Sequence, residues 1–145
     1  MREIKFRAWD KQDKRMYEWP FIVHHFDHEI RVNRDNKLTY VPMEDVCLML
    51  FTGLKDKFGK EIYEGDIIKG QIETMQFIKG RVYLETEHGR HWGCMIADGP
   101  EEKQFGSWDM RQLCWGVDEY TPHCEVIGNI YENPELIGER NEIKW

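Results

Sequence analysis

Three histidines lie close together near the start of the chain, where two acidic side chains could complete a metal site. His24, His25 and His28 are interspersed with Asp27 and Glu29. His24 and His28 would share a face on either a helix or a strand, whereas His25 would point away on a strand. No cysteine pair completes a known zinc spacing. We therefore expect surface histidines in a variable loop, and no metal.

A second set of metal-ligand types lies later in the chain. The set consists of His88, His91 and Cys94, spaced by three and three, with Cys114, His123 and Cys124 following. Imidazole and thiolate are common zinc ligands, but the Cys-x-x-Cys knuckle spacing is absent. The sequence therefore favours buried free thiols and ordinary surface histidines, without a metal or a cofactor.

Three acidic residues, Glu61, Glu64 and Asp66, lie within six positions of one another. General acid–base catalysis needs two carboxyl groups in different environments around a cleft. These residues instead flank a turn, where aspartate commonly bonds its own backbone. No glycine-rich phosphate loop and no nucleophile–base arrangement can be recognised. We assign no catalytic residues and expect a protein that is not an enzyme.

Basic and aromatic side chains raise the possibility of nucleic-acid binding. The basic residues gather near the N-terminus, as Lys5, Arg7, Lys11, Lys14 and Arg15, and the aromatic candidates are Trp92, Phe105, Trp108 and Trp115. Together on one face they would form a basic surface with stacking rings. The formal net charge of −7 disfavours this function, because affinity for nucleic acid depends on neutralising phosphates. Core packing or a subunit contact is the alternative for the rings.

Composition predicts one folded domain. The chain has 145 residues, of which 41% are hydrophobic and 13% aromatic, and this length supports a sizeable core. The first residues contain no apolar signal segment, and no apolar run reaches the length of about 20 residues that a membrane span needs. Four widely separated cysteines suit a reducing compartment. We expect a soluble cytoplasmic protein.

Hydrophobic alternation and turn residues predict mostly short antiparallel strands. A meander covers residues 46–68, with turns at 56–59 and 64–66. Further strands are expected at 4–9, 16–19, 21–23, 29–32, 38–41, 71–78, 81–86 and 125–131. A turn is expected at Lys79–Gly80, and a loop over 87–104. Residues 107–115 suit a helix or a strand, and Asn133–Pro134 predicts a short helix over 133–138.

Four stretches of the sequence resemble the YopX family of phage and prophage proteins. These stretches are Met1–Asp10, Thr52–Lys57, Gly59–Ile67 and Val126–Glu135. The resemblance implies a mostly β structure and a phage association, and it implies no defined activity or catalytic residue. Its recurring positions, among them Gly53, Gly59, Gly65, Gly128 and the Asn133–Pro134 pair, have a structural interpretation.

The sequence therefore predicts a mainly β fold, a small partly open barrel or sandwich of short antiparallel strands with one or two short helices. Residues 1–145 would form a single YopX-like domain with variable insertions near 21–45 and 87–120. We expect a non-enzymatic accessory protein of phage or prophage origin, which associates with itself or with a phage or host protein. A small-barrel nucleic-acid-binding module is the first alternative, and a metal-dependent enzyme is the second.

Overall fold

Strands make up most of the regular structure in the part of the chain described by the computed structural model, namely residues 3–24, 26–71, 77–85, 91–98, 107–110 and 123–137. The chain divides into two compact units, Met1–Phe51 and Thr52–Trp145. The single-domain interpretation stays a prediction. The mainly β class, with curled antiparallel sheets and few helices, is confirmed.

The first unit begins with a strand whose two faces are both covered. β1 (Phe6–Asp10) pairs antiparallel with β2 (Arg15–Tyr17) and with the first half of β6 (Val46–Lys55). Alternation at 4–9 predicted burial of one face, and this is wrong. Arg7 to Asp10 are all buried, so both faces of β1 are covered, and the buried side chains of Arg7 and Asp10 have partners in Met49 and the N–H of Gln12.

A three-stranded sheet completes this unit. It consists of β3 (Ile22–His24), β4 (Glu29–Arg34) and β5 (Lys37–Pro42), in that order, followed by a 3-10 helix at Met43–Asp45. Asp35 and Asn36 connect β4 to β5 with φ of 52° and 65°. Two consecutive positive φ values are typical of a type I′ hairpin turn. The three strands predicted between residues 21 and 41 are confirmed.

One hydrophobic cluster packs the two sheets of the first unit together. Its buried members are Ala8, Tyr17, Phe21, Ile30, Val32, Val41 and Val46. At the surface, the β1–β2 turn contacts the β4–β5 turn through two ion pairs, Arg15 with Asp35 at 3.0 Å and Arg34 with Asp13. The hydrogen bonds from Arg15 lower the pKa of the Asp35 carboxyl. Because these pairs are solvent-exposed, the apolar cluster is the main source of stability.

In its described residues, the second unit contains the other half of β6 and six further strands. They are β7 (Glu61–Tyr63), β8 (Asp66–Gln71), β9 (Phe77–Glu85), β10 (His91–Asp98), β11 (Ser107–Asp109) and β12 (Glu125–Asn129). Five of them form an antiparallel sheet in the order β11-β10-β9-β8-β12. The predicted meander is confirmed, since Gly59 and Gly65 form its turns with φ of 81° and 83°.

Two predictions based on glycines and polar residues fail in this sheet. The turn expected at Lys79–Gly80 is wrong, because β9 runs through both residues and Gly80 pairs with Ile68 and Ile96. The loop expected over 87–104 contains β10. Of the helix and the strand that suited residues 107–115, residues 107–109 form the strand, because they pair with β10.

The position of Gly93 explains why β10 tolerates a glycine. A Cβ atom at this position would lie 2.8 Å from the ring of Tyr83 on the neighbouring strand. The glycine therefore marks close packing of a ring over a backbone and not the end of a strand.

The predicted C-terminal helix is a single 3-10 turn over residues 134–137. The N–H of Leu136 donates to the carbonyl of Asn133 at 3.1 Å. The side chain of Asn133 does not cap this turn, because its oxygen accepts the N–H of Asn129. None of the helices among the described residues is long and apolar enough to cross a membrane.

Tyr17→Phe should not destabilise the first unit. The Tyr17 hydroxyl is buried and makes no hydrogen bond within the described part of the chain. A buried polar group without a partner costs about 1–3 kcal/mol, so its removal should raise the free energy of unfolding by about 1 kcal/mol. Urea denaturation measures the change. Tyr63→Phe is the control, since its hydroxyl donates to Glu61 at 3.0 Å and its loss should lower stability. A loss at Tyr17 equal to that at Tyr63 would contradict the expectation.

Candidate functional site

The first histidine group does not assemble a metal site among the described residues. His24 is half-buried at the end of β3, with its Nδ1 3.5 Å from an Asp27 carboxylate oxygen. Asp27 and Glu29 each lie 3.8 Å from the guanidinium of Arg31. His28 is exposed, and His25 lies outside the described residues. The carboxylates of Asp27 and Glu29 therefore lie beside the guanidinium of Arg31 and not around a metal site.

The second candidate set is only partly described. Cys94 and Cys124 are fully buried, whereas His123 is exposed. Burial, with a smaller contribution from nearby Cys124, raises the pKa of the Cys94 thiol far above its ordinary value. His91 lies in β10, and His88 and Cys114 lie outside the described residues. Within the described ranges, no three His, Cys, Asp or Glu side chains are grouped to hold a metal ion.

The basic N-terminal residues do not present one common face. Arg7 is buried, and its Nη2 lies 3.5 Å from the Met49 sulfur. Lys5 forms an ion pair with Glu3 at 3.6 Å and lies 4.6 Å from the centre of the Phe51 ring. Arg15 forms the ion pair with Asp35 described above. Only Lys11 and Lys14 of the five are exposed.

The aromatic candidates give no further support to a base-stacking surface. Trp92 lies in β10 and Trp108 in β11, while Phe105 and Trp115 lie outside the described residues.

Two members of the acidic trio, Glu61 and Asp66, have structural roles of the kind that was expected. Asp66 is fully buried, and its Oδ2 accepts the N–H of Tyr63 at 2.9 Å across the turn. Glu61 accepts the hydroxyl of Tyr63 at 3.0 Å. Glu64 is half-buried within the same turn. The two carboxylates with described partners stabilise the β7–β8 hairpin.

The carboxylate of Asp56, which the sequence indicated only as a turn residue, accepts three backbone hydrogen bonds among those of the described residues. Its side chain is buried, with 2% of the residue exposed. One oxygen accepts the N–H groups of Phe58 and Lys60, each at 2.9 Å, and the other accepts the N–H of Val126 at 3.0 Å. A buried carboxylate with three backbone donors positions backbone and lacks the access that a general base needs.

Further bonds surround Asp56 and attach the same loop to the start of β12. The N–H of Lys57 donates to the carbonyl of Cys124 at 2.9 Å. The ammonium group of Lys57 lies 3.5 Å from the carboxylate of Glu125. Hydrogen bonds therefore join the loop to β12, although the two lie about 70 residues apart in the chain.

A second interlocked group follows β12. The side-chain oxygen of Asn129 accepts the N–H groups of Tyr131 and Glu132, at 3.0 and 2.8 Å. Asn133 bonds back to the Asn129 backbone through both its side-chain oxygen and its N–H, at 3.2 and 2.9 Å. A Cβ atom on Gly128 would lie 2.5 Å from the Asn133 side chain. The stretch around Gly128 is therefore a turn-forming motif, in agreement with its structural interpretation.

Among the described residues, the surface best suited to contact another molecule lies on the three-stranded sheet of the first unit. Ile22 pairs with Arg31, and Arg31 pairs with Tyr40, so the three residues form one row across the strands. Leu38 lies two positions before Tyr40 and shares its face. Ile22, Leu38 and Tyr40 are 57%, 62% and 49% exposed. We call these four residues the outer face.

The outer face combines apolar groups with an arginine held in place. The Arg31 guanidinium lies 5.0 Å from the centre of the Tyr40 ring, within the range of a cation–π interaction. Beside the sheet, Phe26 in the β3–β4 turn is 98% exposed. This face was not predicted. The sequence pattern that could have indicated it is the apolar pair Leu38 and Tyr40, in alternation with the buried Val41.

Comparison with known proteins matches the chain with one family. The family model described as YopX protein matches residues 5–138, which confirms the resemblance drawn from the sequence. The crystal structure of protein EF1440 from Enterococcus faecalis is similar, with 24% identity and a TM-score of 0.56, over 93% of this chain and 98% of that chain. The crystal structure of yopX from Bacillus subtilis is similar, with 21% identity and a TM-score of 0.54, over 94% and 98%. No curated protein matches the chain. At these identities the two structures establish the fold alone.

Asp56→Asn should destabilise the protein strongly. The amide replaces one acceptor oxygen by an NH₂ group, which would face a backbone donor and leave it without an acceptor. A buried unsatisfied donor and the lost charged acceptor together should lower the free energy of unfolding by about 3 kcal/mol. Chemical denaturation measures the loss. Asp27→Asn is the matched control and should change stability by less than about 0.5 kcal/mol, because Asp27 is exposed. Equal effects at the two positions would contradict the structural role.

Cys94 and Cys124 should resist alkylation in the folded protein. The thiolate is the reactive form, and burial both raises the pKa of Cys94 and blocks access to it. Iodoacetamide at pH 8 should modify the half-buried Cys47 before Cys94 and Cys124, and all four cysteines in denaturant. Peptide mass spectrometry measures each rate. Native modification of Cys94 as fast as that of Cys47 would show that the thiol is accessible.

Proposed function

We propose that this protein, which belongs to the YopX family, acts by binding a protein molecule through its outer face and has no catalytic activity of its own. It serves as an accessory protein of phage or prophage origin in the cytoplasm of a bacterial host. The partner is a phage or host protein or a second copy of the chain.

The observation that carries the proposal is the exposure of Ile22, Leu38 and Tyr40 on one face of one small sheet. Single exposed apolar side chains are common, but grouped ones mark interaction surfaces. Tyrosine and arginine are enriched in protein interfaces, and Arg31 lies at the centre of this row. A buried row of this composition would exclude water around the Arg31–Tyr40 pair.

The chemistry of the other clusters supports binding more than catalysis. The carboxylates of Asp56, Glu61 and Asp66 accept hydrogen bonds from the chain itself. The cation candidates Arg7 and Arg15 are buried and ion-paired, respectively, which gives a nucleic-acid surface less support.

Ile22→Lys should abolish partner binding without unfolding the protein. A lysine at this position would place an ammonium group in the apolar row, next to Arg31. A tagged copy is expressed in cells that retain the untagged chain, and co-purified proteins are quantified by mass spectrometry. One protein should co-purify in a fixed ratio, and its yield should fall at least about tenfold, which corresponds to 1.4 kcal/mol.

Phe58→Lys is the matched control, because Phe58 is 74% exposed but lies in the second unit. It should leave the co-purified protein unchanged. The proposal fails if Ile22→Lys retains the same protein in the same ratio, or if the wild type binds none.

A further inference from the structure

The β4–β5 hairpin determines which backbone groups of β5 face its neighbour. A two-residue turn is closed by a hydrogen-bonded pair, here Arg34 with Lys37, and bonded pairs then recur at every second position. The same alternation places a hydrogen-bonded pair at His28 and Met43. The N–H of Met43 donates to the carbonyl of His28 at 2.8 Å. Thr39 and Val41 therefore direct their N–H and C=O groups toward β4.

The intervening residues of β5 direct their backbone groups away from β4. Leu38 and Tyr40 each offer one N–H and one C=O on this side, and Pro42 offers a C=O alone. β5 is the last strand of its sheet, with no strand on its other side in the part of the chain that the structure describes. A regular six-residue edge of this kind is a template for pairing with another strand.

We infer that β5 pairs antiparallel with β5 of a second copy of the chain, so that two three-stranded sheets join into one of six strands. In this pairing Leu38 lies opposite Tyr40 of the second copy, and Thr39 lies opposite its own equivalent at a two-fold axis. Each Leu38–Tyr40 pair exchanges two hydrogen bonds, which gives four in all. The contact is isologous and closes on itself.

The hydrogen-bonding groups of β5 select this register. Tyr40 opposite its own equivalent would place Leu38 opposite Pro42, which lacks an N–H. Leu38 opposite its own equivalent would place Tyr40 opposite Asn36, which lies in the turn with φ of 65°. Only the Leu38–Tyr40 register uses complete backbone groups at both positions, and it leaves Pro42 beyond the paired segment.

The joined sheet also enlarges the surface proposed for partner binding. Two strands of six residues and one of three cover at most about 14 Å by 20 Å, which is under about 300 Å². A stable interface buries about 800 Å² on each partner, so one outer face alone is small. Pairing at β5 places two outer faces side by side, with the apolar side chains of Leu38 and Tyr40 across the join. The inference goes beyond the proposed function, since the second copy pairs at the β5 edge and leaves the outer faces to a separate partner protein.

Sedimentation equilibrium between about 10 µM and 1 mM tests the pairing. The average mass of the wild type should rise from one chain toward two. Leu38→Pro removes an outward N–H without touching the bonds to β4, and the dimer dissociation constant should rise more than about thirtyfold. Leu38→Ala keeps that N–H and should raise the constant less than about tenfold. A wild type that stays monomeric, or a Leu38→Pro dimer of unchanged affinity, overturns the inference.

A cysteine cross-link decides the register even if Leu38→Pro fails to fold. The two copies of Thr39 would have Cα atoms about 4.5 Å apart, within the range of a disulfide. Thr39→Cys should therefore form a disulfide-linked dimer under copper-catalysed air oxidation. Leu38→Cys should not, because its two copies would be about 9 Å apart. The wild type measures the background from the natural cysteines. Absence of the Thr39→Cys link, or equal linking at both positions, contradicts the register.

The combined measurements separate this inference from the proposed function. Ile22→Lys should keep the dimer, because Ile22 lies on β3, away from the β5 edge. A monomeric wild type that still captures a protein through Ile22 would overturn the β5 pairing and retain the proposed function. Dimer formation that persists in Leu38→Pro but is lost in Ile22→Lys would place self-association on the outer face instead.

Discussion

The buried carboxylate of Asp56 is the constraint on which the second unit most depends. A desolvated carboxylate is strongly unfavourable unless donors surround it, and the donors here come from the loop itself and from β12. The carboxylate of Asp56 has all its hydrogen bonds only when the tight loop is formed and Val126 lies beside it. A local turn and a contact about 70 residues away in the chain therefore form together.

Other stretches that resemble the YopX family also hold parts of the fold in place through their backbone groups. Gly65 adopts a positive φ while its N–H and C=O connect to Val82 and Ile130, each at 2.9 Å. Asn129 and Asn133 close the turn after β12, and Gly128 leaves the space for them. The stretches around Asp56, Gly65 and Gly128 each position backbone groups that would otherwise be buried without partners. The outer face lies apart from these stretches, within the segment 21–45 that was expected to vary. We therefore separate the residues that maintain the fold from those proposed to contact a partner.

The sequence predicts those parts of the fold whose conformation depends on neighbouring residues alone. The hairpin turns follow from Asp35–Asn36, Gly59 and Gly65, whose positive φ values match their residue types. The errors at Gly80 and Gly93 arose because a glycine inside a central strand has the same sequence signal as a turn. At Gly93, the reason is a ring on the neighbouring strand, which no local window contains. Likewise, the turn residue Asp56 could be identified from its neighbours, but its bond to Val126 could not. The exposure of Leu38 could not be predicted either, because it depends on which face of β5 meets the core.

Hydrogen exchange at individual amides, followed by NMR, tests most directly whether the Asp56 carboxylate joins the loop to the sheet. The amides of Phe58, Lys60 and Val126 should open together, with a free energy close to that of Ile68 in the neighbouring strand β8. Exchange of Phe58 and Lys60 at the rates of an unprotected loop, while Val126 stays protected, would contradict this coupling. The loop would then be an independent surface turn, and β12 would be held by its strand pairing alone.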